Sequence, residues 1–72
     1  MKEKELHFIC DAIRKFRYQK SMSQQQVANQ LKISQNAYYK IENGHTKLTV
    51  LTLLCLVDVF GVPLRDFFAG IE

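Results

Sequence analysis

Apolar residues in this chain recur at intervals of three and four rather than alternating, so helices are expected throughout and strands almost nowhere. Leu6, Ile9, Ile13 and Phe16 form one such stripe, with Arg14, Lys15 and Arg17 mostly outside it. They define a first helix over about 5–20, which Ser21-Met22 ends. Ser23 followed by Gln26 is a capping box, and Met22 can staple onto Val27, so a second helix begins at Gln24 and ends near Leu31. After a tight turn at Lys32-Ile33, Ser34 is again a good N-cap and Ile33 can staple onto Tyr38. The third helix then covers about 35–43, stopped by Gly44, which suits a left-handed C-terminal cap. Beyond the polar loop His45-Thr46-Lys47, Thr49 caps a fourth helix over about 50–60, whose inward face needs Val50, Leu53, Leu54, Val57 and Phe60. Gly61 closes that helix, and Pro63 suits the first turn of a short fifth helix over about 64–68 carrying Leu64, Phe67 and Phe68.

The expected fold is therefore all-α, five helices in a single domain over 1–72, with no linker, repeat or low-complexity tract to divide it. Two short capped helices joined by a turn of three or four residues make a helix-turn-helix, placed between a long first helix and two apolar closing helices.

Composition narrows the class. With 72 residues, 47% hydrophobic and 24% charged, the chain should fold, but it has no room for a second, ligand-sensing lobe. A net charge of +3 and a pI near 9.0 tilt the surface toward phosphate, or simply describe a mildly basic protein. Cys10 and Cys55 have no CxxC spacing, so neither a zinc site nor a disulfide framework is suggested, and reduced thiols in the cytoplasm are the default. The start, Met1-Lys2-Glu3-Lys4-Glu5, shows no secretory signal. The most apolar stretch, Val50 to Val57, is interrupted by Thr52 and closed by Asp58, well short of the roughly 20 residues of a membrane span. Without a phosphate-cradling glycine loop, an HExxH or a nucleophile beside a base, nothing points to an enzyme, a cofactor or a metal.

Ser23-Gln24-Gln25-Gln26-Val27-Ala28, then Ile33-Ser34, then Ile41-Glu42-Asn43-Gly44 at this spacing resemble the phage repressor and Cro-type (XRE-like) helix-turn-helix family, over roughly residues 9–69. The joint pattern S-Q-x-x-x-A, I-S and I-E-x-G is far more specific than any one piece. The resemblance implies a five-helix, lambda-repressor-like DNA-binding domain acting as a transcriptional regulator, a repressor or operon controller. Ala28 would be the tight spot of the helix crossing, where a larger residue overpacks. Lys32 departs from the family, which commonly has glycine in that turn, and a left-handed lysine there is strained.

In such a fold the third helix enters the major groove with its N-terminal residues toward base edges. Gln35 and Asn36, with Tyr39 and Lys40 one turn further on, are the expected base readers; amides can pair bidentately with adenine, and lysine can reach guanine or a phosphate. Without the resemblance the same residues are simply a solvated face. Gln24 and Ser34, each at the start of a helix, are expected at phosphates, Gln24 being otherwise a tolerated first-turn residue. Asn43, His45, Thr46 and Lys47 are expected along the DNA backbone, where they position the duplex without reading it; His45 is a loop residue or an occasional phosphate contact. Arg17 and Glu42 sit where the family places a structural pair joining the first helix to the third, which would aim Arg17 at phosphate; the alternative is that each is merely exposed.

Leu51 and Cys55 fall where relatives usually carry charge. With Val59 and Phe68 they form either an exposed apolar dimer interface or a thickened core. The partners so implied are a pseudo-palindromic double-stranded operator and a second copy of the chain as a homodimer. The competing reading is a protein-interaction module such as an antitoxin, which binds a partner protein such as a toxin and autoregulates its operon; for a regulator that activates, the protein partner would be polymerase.

Overall fold

The computed structural model describes residues 2–69; Met1 and residues 70–72, the ends of the expected 1–72 domain, lie outside the described residues. The element order is α1 (Lys2–Gln19), α2 (Gln24–Leu31), α3 (Gln35–Glu42), α4 (Val50–Phe60) and α5 (Leu64–Phe67), with no strand among the described residues. α1 starts earlier than its apolar stripe suggests, because Glu3 and Glu5 place negative charge in the first turn, where the helix dipole favours it.

Local chemistry fixes the ends. Ser23 caps α2 in a complete capping box, its hydroxyl accepting from the Gln26 amide while the Gln26 side chain accepts from the Ser23 amide at 2.7 Å. Ser34 and Thr49 cap α3 and α4 through their hydroxyls alone, which accept from the amides of Ala37 and Thr52. At the C-terminal end of α3, His45 N–H donates to Lys40 O and Gly44 N–H to Ile41 O, with Gly44 left-handed at φ 72. The same motif ends α1 at Ser21 and α2 at Lys32, with φ of 55 and 62, where a side chain must accept a conformation that favours glycine.

The core joins all five helices through Ile13, Phe16, Val27, Ala28, Tyr38, Leu53, Leu56, Phe60 and Phe67. α1 packs on α3, α4 and α5, while α2 packs on α3 and α4. A helix as short as α5 has no stability of its own. It is held by Phe67, fully buried with its ring 5.0 Å from that of Phe16 and 6.3 Å from that of Phe60.

The packing corrects three expectations. Val50 and Leu54 do not face inward: they are 75% and 43% exposed, and Leu56 takes the buried position. Leu53, Leu56 and Phe60 share one side of α4 at steps of about 100° per residue, which turns Leu51, Leu54, Cys55 and Asp58 to the opposite side. Val59 and Phe68, expected on that outer stripe, instead pack half-buried against the core, and Leu64 of α5 is exposed. Arg17 does not lie outside the α1 stripe: it is 7% exposed, drawn in by the only carboxylate among the buried residues described.

Candidate nucleic-acid interface

α3 has one buried face and one bare face. Tyr38 and Glu42 point into the fold, and Ile41 is half-buried. Gln35, Asn36, Tyr39 and Lys40 are exposed on the other side. Beside them lies a cleft of about 300 Å³ with a floor of Ile33, Ala37 and Ile41 and a rim of Ser34, Asn36, Lys40, Thr46 and Lys47. The rim thus carries two lysines, an amide and two hydroxyls, a set suited to an anionic polymer.

Beneath this surface is a buried polar network centred on Glu42, which is 2% exposed. Arg17 grips the carboxylate with both prongs, Nε to Oε2 at 2.7 Å and Nη2 to Oε1 at 3.1 Å, and its Nη1 donates to the Met22 carbonyl at 3.0 Å. Tyr38 donates its hydroxyl to Oε2 at 2.6 Å, and Gln24 Nε2 donates to Oε1 at 3.1 Å. Arg14 adds a bond to the Glu42 carbonyl at 3.1 Å and holds Asp11 at 3.0 Å. One carboxylate thereby ties α1, α2 and α3 together.

Burial would push the Glu42 carboxyl up, but the bonds from Arg17, Tyr38 and Gln24 together outweigh it and hold its pKa below the ordinary 4.5. Arg17 is raised by its bond to Glu42, against the opposing effect of burial. Tyr38 is raised by burial and by the neighbouring carboxylate, so it stays a phenol. No buried side-chain nitrogen or oxygen is left without a partner among the described residues.

The network also explains Gln24. It lies half-buried at the start of α2 with its nitrogen held by Glu42, so its oxygen faces outward and meets Gln35 Nε2 at 3.5 Å. Ser34 uses its hydroxyl as the α3 cap. Asn43 is half-buried and turns back, its Nδ2 donating to the Tyr39 carbonyl at 2.9 Å. His45 stands edge-on to Tyr39, ring centres 5.9 Å apart, and Thr46 and Lys47 are exposed beside it. Gln35, Asn36, Tyr39, Lys40, His45, Thr46 and Lys47 therefore share one surface with Gln24 and Ser34 at its edge. Arg17 is below that surface with its charge already matched, and Leu51 and Cys55 are on α4.

The helix-turn-helix family model matches residues 13–67, more than half of the chain. The chain belongs to the helix-turn-helix family, of the phage repressor and Cro type. No curated protein and no solved structure matches it significantly. As a helix-turn-helix protein of this type it is a DNA-binding regulator, from a family that is not enzymatic. Among the described residues no helix is long and apolar enough to cross a membrane, and no group of acidic, histidine and cysteine side chains could hold a metal ion.

Sequence reasoning missed three parts of this helix-turn-helix. Tyr38 and Glu42 are four apart on one helix, so their bond was readable from spacing alone. Arg14 and Gln24 carry no such signal, because their partner is 28 and 18 residues away in the chain.

Proposed function

We propose that this protein is a sequence-specific regulator of transcription that docks α3 in the major groove of double-stranded DNA. Gln35 and Asn36 meet base edges first, and Tyr39 and Lys40 follow one turn later. Gln24, Ser34, Asn43, His45, Thr46 and Lys47 meet the flanking phosphates, through helix N-terminal amides at α2 and α3 and through side chains on the loop. The observation that supports this best is the division of α3 itself: four polar side chains stand exposed on a helix whose opposite face buries Tyr38 and Glu42 and is hydrogen-bonded to α1 and α2. A helix fixed on one side and bare on the other is what insertion into a groove requires.

One α3 reads only a few base pairs, so a second copy is needed for a pseudo-palindromic operator, with recognition helices about 34–36 Å apart. The exposed stripe of Val50, Leu51, Leu54 and Cys55 on α4 supports a homodimer formed there, in the cytoplasm where Cys55 stays reduced. Bound at a promoter, such a dimer represses by occupancy.

The test is selection of duplexes from a randomised pool, followed by anisotropy titration of the winning sequence. Gln35→Ala should relax preference at one base position at a cost of about 1–3 kcal/mol, and Lys47→Ala should weaken every sequence alike. A protein that enriches no sequence and ignores all duplexes at low salt is not this regulator. In sedimentation equilibrium Leu51→Asp should shift the population to monomer; a wild type that is monomeric at high concentration would leave the α4 stripe to a different protein, as in an antitoxin.

A further inference from the structure

α1 runs past the segment that the helix-turn-helix family model covers. The match begins at Ile13, whereas the helix begins at Lys2, so about three helical turns are added to the matched unit. One side of these turns, through Phe8, Asp11 and Ala12, faces α5, and the other faces the end of α3 and the loop that follows. Cys10 donates its thiol to the Ile41 carbonyl at 3.7 Å. Leu6 Cδ2 and Cys10 Sγ each stand 3.6 Å from where a Cβ on Gly44 would be, so together they flank the turn from which the loop departs. Further along, Leu6 and Ile9 line a largely apolar cleft of about 360 Å³ with Thr46, Lys47 and Leu48.

Thr46 and Lys47 also form a wall of the cleft beside Asn36 and Lys40. They are a partition, with the added turns of α1 on one side and the bare face of α3 on the other. The backbone of Thr46, Lys47 and Leu48 joins no backbone hydrogen bond among the described residues. Apolar packing holds the end of the partition instead: Leu48 is half-buried against the core, while Leu6 flanks Gly44, where the loop departs, and with Ile9 faces the loop across the cleft whose lining also includes Glu3 and Glu5.

We infer that the added turns of α1 brace this loop, with Leu6 as the positioning residue, and so set how firmly Thr46 and Lys47 engage DNA phosphate. The inference rests on the DNA-binding reading above. A loop held in advance loses less freedom on binding, so its contact survives at higher affinity than the same lysine on a loose tether. Phosphate contacts are counted by salt dependence, each steepening the log–log slope by about 0.9. Leu6 itself touches no DNA in this arrangement; it acts through the loop.

Two measurements on the full chain test the brace. In the free protein, backbone 15N relaxation should show order parameters for residues 45–48 falling from about 0.85 to below about 0.6 in Leu6→Ala, with α3 unchanged and Leu6→Met restoring the wild-type pattern. On a mixed-sequence duplex, Leu6→Ala should flatten the salt slope by about one, as Lys47→Ala does, and the double variant should be no flatter than Lys47→Ala alone. Unchanged order in the loop, or weaker binding at an unchanged slope, overturns the brace, because lost global stability lowers the active fraction without altering the slope. A loop that loosens in a protein whose wild type binds no duplex sinks the DNA-binding reading and leaves the mechanical role of Leu6 standing.

Discussion

Replacing Glu42 by glutamine should come close to unfolding this protein. The carboxylate is 2% exposed and accepts four hydrogen bonds, two from Arg17 and one each from Tyr38 and Gln24. Glutamine keeps the shape but loses the charge, and in either orientation its NH₂ replaces an oxygen held by one prong of Arg17, which has no acceptor to offer it. Arg17, 7% exposed, would be left as an unmatched buried cation. Removing one partner of a buried pair typically costs about 3–5 kcal/mol, while a domain of this length has roughly 4–11 kcal/mol in total. Taking about 3 kcal/mol, the melting temperature falls by roughly 12–24 °C. Removing both partners is a different perturbation, since no orphan charge remains, so Arg17→Met with Glu42→Gln should recover most of the loss. Urea unfolding followed by circular dichroism measures all three proteins. A single-variant loss below about 1 kcal/mol, or a double variant less stable than Glu42→Gln, would refute the claim that this pair locks α1 to α3.

Other outcomes follow from single features of the fold. Glu42 titrates below its ordinary 4.5 in the folded protein, so its stabilisation is fully present above about that pH and is lost as pH falls through the lower, folded value; the urea midpoint should drop in that acid window, and less so in Glu42→Gln. Lys32→Gly relieves a left-handed lysine at φ 62 and should raise stability by about 1 kcal/mol, seen as a melting temperature higher by roughly 4–8 °C. Ala28 has no exposed surface, so Ala28→Leu should overpack the core and cost about 1–3 kcal/mol in the same urea assay. Cys10 is buried, with its thiol pKa pushed up chiefly by that burial, so a thiol reagent should modify exposed Cys55 at once and Cys10 only as the protein opens; equal rates would show α1 fraying to its middle.

The fold was legible wherever the sequence mixes polar with apolar residues. Ser23, Ser34, Thr49, Gly44 and Gly61 mark helix ends by local chemistry, and these boundaries hold to within a residue or so. The facing of α4 was not legible, for a physical reason. Nine of its eleven residues, VLTLLCLVDVF, are apolar, so a stripe can be drawn at several angles and only Thr52 and Asp58 break the symmetry. Packing chooses among them, and it chose Leu56, leaving Val50 and Leu54 outside. Likewise Ser21 gave no sign of its left-handed conformation, since the strain at φ 55 is imposed by the chain leaving α1 for the α2 cap rather than by the residue itself.

The site divides along the same line, and the division bears on how it would work. The exposed polar residues of α3 follow from helical period once α3 is placed, because Tyr38 and Ile41 must go inward and Gln35, Asn36, Tyr39 and Lys40 are what remain. What period cannot supply is the direction in which each amide points. That comes from Glu42: a carboxylate has no proton to donate, so Gln24 must turn its nitrogen inward, and its oxygen is then the outward atom that Gln35 Nε2 meets at 3.5 Å. With one N–H so engaged, Gln35 would, in the proposed complex, turn its oxygen to a base edge as an acceptor for a donor such as the adenine N6 amino group. In the proposed complex, then, the hydrogen-bonding sense of the first base reader is set by a buried ion pair on the far side of the helix. Glu42→Gln frees Gln24 to present either end, so among the molecules that still fold, base preference at the Gln35 position should relax even though no residue facing the DNA has changed.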